Sequence, residues 1–216
     1  MLILAFDTAT PHVTVALHDG TRVLSAYAGE GVMRHGELLA PGIADVLAEA
    51  GADRRDLTDV AVGVGPGPYT GLRVGVVTAR TLATALPVRA VGVCTLDVIA
   101  AGARASGTGG HFVAASDARR KEVYWARYDP SGARVEGPQV LRPAELADRL
   151  EPGVGVVGRG AQMYADVLPV LAGPPDPDAG VLAALVATGA CELLPLEPLY
   201  LRRPDASEPG GRKRVT

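Results

Sequence analysis

Apolar residues open the chain in short runs separated by turn residues. Leu2 to Phe6 is apolar and ends at Asp7, which predicts a buried strand. Val13, Val15 and Leu17 alternate with Thr14, Ala16 and His18, the period of a half-buried strand. Asp19-Gly20 predicts a hairpin turn into a third strand over Thr21 to Tyr27. The period then changes. Leu38, Leu39, Ile43, Val46, Leu47 and Ala50 form one helical stripe, predicting a helix from Glu37 to Ala50 that Gly51 stops. Pro41 fits that helix only close to its start, where N–H groups lack partners anyway. Val60 to Val64 is a further buried strand, and Gly65 to Gly71 a tight loop. Thr70 is the candidate cap of a helix from Leu72 to Leu86, which Pro87 ends. A strand over Val88 to Val93 and a helix over Leu96 to Ala105 complete an alternation that implies a partly parallel sheet with covered faces.

The glycine-rich stretch Ser106 to Gly110 breaks the pattern, and the chain beyond it repeats the opening. Phe112 to Ser116 is apolar and ends at Asp117. Glu122 to Tyr128 is a second strand, Asp129 to Gly132 a hairpin turn, and a third strand runs through Val135. Asp117 and Asp129 stand at the same offset from Asp7 and Asp19, which points to internal duplication. The expected fold is α/β with two domains, residues 1–106 and 107–202, each opening with a three-strand unit, the second reduced. Its remaining elements read as a short helix from Pro143 to Leu150, a strand from Gly153 to Val157, and helices from Ala161 to Leu171 and Val181 to Leu193, the last free to pack back on the first domain. Residues 203–216 read as a flexible basic tail carrying Arg212-Lys213-Arg214, either solvated or making a weak phosphate or partner contact.

Composition removes several function classes. The chain has 216 residues, 48% hydrophobic and 21% charged, with a net charge of -3. That is a folded protein without the global basic field that gathers nucleic acid. Lysine occurs only as Lys121 and Lys213, and neither stands in the Gly-Lys-Ser/Thr context of a phosphate-binding P-loop. Cys94 and Cys191 form neither a metal pair nor a disulfide framework, which suits a reducing compartment. No apolar run is long enough to span a bilayer, and Asp7 comes too early for a signal peptide, so a cytoplasmic location is expected.

Candidate chemistry is sparse. Asp7 and Asp117 each end the first strand of a repeat unit. If the units face each other, both carboxylates point into one cleft, as in Mg²⁺-nucleotide enzymes. The competing reading is that each caps its turn. Arg119, Arg120 and Lys121 would obstruct a backbone phosphate cradle after Asp117. The Gly65 to Gly71 loop contains Pro66 and Pro68, which have no N–H to offer a phosphate. His35 lacks a second histidine one helical turn on, where Leu39 stands, and no serine sits in a nucleophile elbow. The Leu72 to Leu86 helix is apolar on nearly every side, so a second surface must cover it, either the chain's own or a partner's.

Five segments together resemble the TsaB (YeaZ) family: Ile3-Leu4-Ala5-Phe6-Asp7-Thr8-Ala9-Thr10, His35-Gly36-Glu37-Leu38-Leu39-Ala40-Pro41, Val62 through Gly75, Asp117-Ala118-Arg119-Arg120-Lys121-Glu122-Val123-Tyr124, and Pro198-Leu199-Tyr200-Leu201-Arg202. The family usually has Ser-Phe where Pro68-Tyr69 stand. The resemblance covers about residues 1–203. It implies an actin-like (ASKHA) fold of two ribonuclease-H-like domains and a role in forming threonylcarbamoyladenosine at position 37 of tRNA. In that pathway a TsaD-like subunit transfers the threonylcarbamoyl group, a TsaE-like ATPase joins it, and the TsaB subunit is non-catalytic. The TsaD-like subunit holds metal through two histidines one turn apart, of which His35 alone has a counterpart here. The resemblance also implies a dimer surface on the first two helices, placing Leu39, Ile43, Val46, Val74, Val77 and Thr78 at or near a contact with the TsaD-like partner, or with a second copy in isolation. Asp7, Thr8 and Asp117 would then line a vestigial nucleotide cleft. No cofactor is expected, ATP or ADP being admitted only at an interface shared with the partner. tRNA is met through the complex, and no membrane is involved. The alternative is a nucleotide-binding or phosphoryl-transferring actin-like enzyme.

Overall fold

The computed structural model describes residues 1–31 and 34–202. The segment read as a basic tail, 203–216, lies outside the described residues. The described residues build two sheets. The first contains β1 (Ile3–Asp7), β2 (His12–His18), β3 (Val23–Glu30), β4 (Asp59–Gly63) and β5 (Arg89–Val93), in the order β3-β2-β1-β4-β5. β1 runs antiparallel to β2 and parallel to β4. The second contains β6 (Phe112–Asp117), β7 (Val123–Tyr128), β8 (Arg134–Leu141) and β9 (Gly155–Val157), in the order β8-β7-β6-β9. β6 is antiparallel to β7 and parallel to β9. The repeated strand pattern of the sequence is thus a repeated topology. The fold is actin-like.

Among the described residues six α-helices cover the sheets: α1 (His35–Glu49), α2 (Tyr69–Ala85), α3 (Thr95–Ala105), α4 (Pro143–Ala147), α5 (Arg159–Met163) and α6 (Ala179–Thr188). β1 is apolar at successive positions because both its faces are covered. Leu4 and Phe6 pack with Leu39 and Val46 of α1 and Val76 and Ala79 of α2. Ile3 and Ala5 pack with Ala179, Leu182 and Ala183 of α6. α3 serves the second sheet: Leu96, Ile99 and Ala103 pack with Phe112, Ala114 and Tyr128. A helix from each half of the chain therefore completes the other half.

Several boundaries differ from the sequence reading. α1 begins at His35, so Pro41 lies in the second turn, where its missing N–H forfeits a helical hydrogen bond. Thr70 does not cap α2; the cap position is Pro68, and no side chain caps this helix. The expected Ala161–Leu171 helix is only α5 followed by turns, because the backbone leaves the helical conformation at Tyr164 (φ -125°, ψ 40°). α6 stops at Gly189, whose φ of 68° closes the helix in the left-handed conformation. Among the described residues no helix is long and apolar enough to cross a membrane.

Candidate functional site

The two sheets meet where the β1–β2 turn faces the β6–β7 turn. Asp7, at the end of β1, is fully buried. The Ala9 N–H donates to its Oδ1 (2.7 Å) and the Thr95 hydroxyl to its Oδ2 (2.8 Å). Burial pushes its pKa up to about 6, against the lowering effect of both hydrogen bonds. The carboxylate occupies space left by Gly63, where an added Cβ would lie 1.7 Å from Oδ2. Asp7 is therefore an internal tie between β1, β4 and α3, and it does not open into a cleft. Thr8 is buried and donates its hydroxyl to the Gly71 carbonyl (2.8 Å). Asp117 is nearer the surface. Its Oδ1 accepts the Arg119 N–H (2.8 Å), and its Oδ2 stands 3.4 Å from the Arg119 guanidinium. Asp7 and Asp117 thus do not face each other across open space.

What fills the junction is an ion cluster. Arg159 donates through Nε to both carboxylate oxygens of Asp176 (3.0 and 3.1 Å), and its Nη2 meets Oδ2 as well. His12 sits between Asp176 (Nδ1 to Oδ2, 3.2 Å) and Glu30 (Nε2 to Oε2, 3.5 Å). The cavity left among Ala9, Pro68, Asp117, Arg159 and Asp176 has a volume of about 10 Å³. A site for a drug-sized ligand takes roughly 300 Å³ or more. Sequence reasoning missed His12, Arg159 and Asp176. They are distant in sequence and become neighbours only through the duplicated topology.

His35 is 8% exposed, and its Nε2–H donates to the Thr10 carbonyl (2.8 Å), fixing the β1–β2 turn. Among the described residues no three His, Cys, Asp or Glu side chains are placed to share a metal ion. Burial pushes the Cys94 thiol up to about 12 and the Cys191 thiol to about 11, far from a reactive thiolate. Cys191 is half-buried, packs against the core cluster of α6, and lines a cavity of about 460 Å³ with Asp97, Arg134 and Glu192.

The helix face divides the contact residues expected from the sequence. Leu39 (1% exposed) and Val46 (0%) lie in the core beneath the first sheet and offer nothing to a partner. Ile43, Val74 and Thr78 are half-buried, and Val77 is 58% exposed. One flank of α2 is covered by the chain's own residues 194–202. Leu194 pairs with Gly92, and the Leu199 N–H donates to the Val64 carbonyl (2.8 Å). Arg80 Nε donates to the Leu196 carbonyl (2.7 Å), and the Tyr69 and Tyr200 rings lie 4.4 Å apart. Arg202 then reaches the second sheet, donating to the Ala118 carbonyl (2.8 Å) and pairing with Glu122. The apolar helix thus has three fates: sheet on one side, this strap on another, and an open shallow groove of about 350 Å³ along Val77, Arg80, Thr81, Thr84 and Ala85.

Known proteins share this outline. The sequence model of the family described as TsaD, tRNA N6-adenosine threonylcarbamoyltransferase, matches residues 28–169. The tRNA threonylcarbamoyladenosine biosynthesis protein TsaB of Escherichia coli is 37% identical over 175 residues, 77% of this chain and 75% of that protein. The chain belongs to the TsaB (YeaZ) family. An uncharacterized protein of Mycobacterium tuberculosis is 41% identical over 209 residues, 94% of this chain and 93% of its own length. The crystal structure of YeaZ from Pseudomonas aeruginosa matches with a TM-score of 0.79 at 28% identity, covering 93% of this chain and 99% of that one. Likeness at the level of fold alone extends to a polyphosphate/ATP-glucomannokinase from Arthrobacter, with a TM-score of 0.50 at 12% identity. Tyr69, where this chain departs from the usual TsaB residue, has its ring on Tyr200 and its hydroxyl donating to the Arg202 carbonyl. The departure is thus tied to the strap. A phenylalanine would keep the ring contact and lose the hydroxyl's.

Proposed function

We propose that this chain is the non-catalytic subunit of a tRNA threonylcarbamoyladenosine-forming complex, and that it docks a TsaD-like transferase on the face of α1 and α2. The observation that carries this reading is the open stretch of α2 around Val77, flanked by half-buried Ile43, Val74 and Thr78. An exposed valine amid partly covered apolar neighbours gains most from a second helical surface laid over it. The name of the Escherichia coli relative supports the pathway. The absence of a catalytic role rests on two features. Asp7 is used internally, and the junction is filled by the Arg159–Asp176–His12 cluster. Phosphoryl transfer by the isolated chain would need both to rearrange. A TsaE-like ATPase joins through the complex, tRNA is met there, and any ATP or ADP sits at the shared interface. The complex works in the cytoplasm, where its tRNA is, and without the transferase the same face can pair two copies.

Co-purification with the TsaD-like protein tests the reading. Val77→Glu places a charge in the desolvated contact and is expected to weaken association by about 2 kcal/mol or more. The melting temperature should be nearly unchanged, because Val77 contributes little to the chain's own core. Undiminished association by sedimentation would overturn the proposed surface, and threonylcarbamoyl transfer by the purified chain alone would overturn the proposed role.

A further inference from the structure

The geometry points to a binding site for a small organic cation, an ammonium or guanidinium group on a short aliphatic body, in the cavity between α3, α6 and the β7–β8 turn. That cavity has a volume of about 460 Å³, within the range of roughly 300–1,000 Å³ that small-molecule sites occupy. None of its lining residues belongs to α1 or α2, so the site does not rest on the partner face proposed above.

The charge of the cavity comes from three side chains. Asp97 stands in the first turn of α3, Arg134 opens β8, and Glu192 follows α6. Arg134 lies between the two carboxylates. Its Nε donates to Asp97 Oδ1 (3.0 Å), and its Nη2 to Glu192 Oε2 (2.7 Å). Nη1 donates to the Gly137 carbonyl (3.1 Å), which fixes the guanidinium in place. One cation against two anions leaves a negative charge in excess. The Cys191 thiol, its pKa pushed up to about 11 by burial, adds no charge. α6 ends at the same wall, at Leu185, Gly189 and Ala190, and the negative end of its dipole favours a cation there.

The receiving atom is Asp97 Oδ2. The Asp97 side chain is 13% exposed. Both of its hydrogen bonds, from the Tyr128 hydroxyl (2.7 Å) and from Arg134, fall on Oδ1. They orient the carboxylate and leave Oδ2 without a partner, yet Oδ2 is not sealed off from solvent. Desolvation raises the pKa of this group, and a cation seated on Oδ2 would offset that cost by pairing the charge. Glu192, largely exposed, sets a second carboxylate at the rim, where it draws a cation inward.

The body of the ligand follows from the rest of the wall. Ala101, Ala133 and Leu185 offer apolar surface to a short hydrocarbon chain. A metal ion would need several oxygen ligands brought together. Here the guanidinium stands between the carboxylates, and among the described residues no three side chains are placed to share a metal.

The full ¹⁵N-labelled chain is titrated with n-butylammonium chloride and read on the Gly132, Ala133, Gly189 and Ala190 amides, with sodium chloride at equal ionic strength as control. Saturable shifts in the millimolar range are expected. n-Butanol, of similar shape without the charge, should bind about tenfold more weakly. Asp97→Asn should weaken n-butylammonium binding by about tenfold, the loss of one charge-assisted contact. Glu192→Gln, a change at a largely exposed side chain, should weaken it about threefold with an unchanged melting curve. If Asp97→Asn lowers the melting temperature, Glu192→Gln and the butanol comparison decide. Tighter binding of n-butylguanidinium would assign the head group as guanidinium, and tighter binding of n-butylammonium as ammonium. Amides that do not move, sodium reproducing the shifts, butanol matching the ammonium, or both variants binding like the parent would each overturn the site.

Discussion

Asp7 is a carboxylate whose hydrogen bonds all lie inside the protein, yet its pKa is pushed up to about 6 because desolvation outweighs them. The consequence for stability has a definite sign. Between the ordinary value of 3.8 and about 6, the folded chain holds a proton that the unfolded chain has released. Asp7 therefore stabilises the fold below that window, and the contribution is lost as pH rises through it. Asp7→Asn cannot titrate. Relative to the parent, the variant is expected to gain about 2 kcal/mol in urea unfolding on moving from about pH 4 to about pH 8. A parent–variant difference independent of pH would contradict the buried-carboxylate reading. Asp7 was visible in the sequence as the residue ending the first strand, but its direction was not. That direction depends on Gly63, a neighbour only through the β1–β4 pairing. The glycines carried a signal that a loop reading passes over. Gly63, Gly67, Gly71 and Gly75 recur every fourth residue, and an added Cβ on any of them would meet Asp7, Thr8 or Ala9 within 2.5 Å.

Among the elements, α1 and α2 show what helical periodicity can and cannot give. The stripe containing Leu39, Ile43 and Val46 was legible, and it identified residues sharing a side of α1. Which side looks inward is set by the sheet, and the sheet takes Leu39 and Val46. On α2 the pattern was ambiguous because three different surfaces surround one helix. The last of these, the strap, carries its apolar residues in an extended segment broken by Pro195 and Pro198, a pattern with no helical or strand period to read. The inward assignment of Leu39 has a measurable outcome that differs from that of Val77. Leu39→Ala should lower the chain's own stability by about 3 kcal/mol by opening a core cavity. Below its melting transition the variant should still bind the TsaD-like protein. A stable variant with weakened binding would place Leu39 at the interface after all.

For the molecule as a whole, the duplication was the most legible feature, because it needs only a repeated order of strand, aspartate, strand and turn. The exchange of helices between halves was not legible. Nothing local in residues 179–188 says which sheet they cover, and the apolar residues of α6 suit either. The strap has a similar whole-molecule role. Leu194 and Leu199 pack against the hydrophobic clusters of both halves, and Arg202 pins the β6–β7 turn. Ending the chain after Leu193 is expected to lower the melting temperature by roughly 5 °C or more and to speed proteolysis between the halves. An unchanged melting curve would show that the strap is merely draped over the surface.

The placement of α6 has a consequence during synthesis. Ile3, Ala5 and Ala16 leave the ribosome well before the helix that shields them, Ala179–Thr188. Until then that side of the first sheet lacks its main cover, with only Val98 of α3 packed there. The nascent chain must carry that greasy surface while all the intervening residues are made, as a natural client for a chaperone at the tunnel exit.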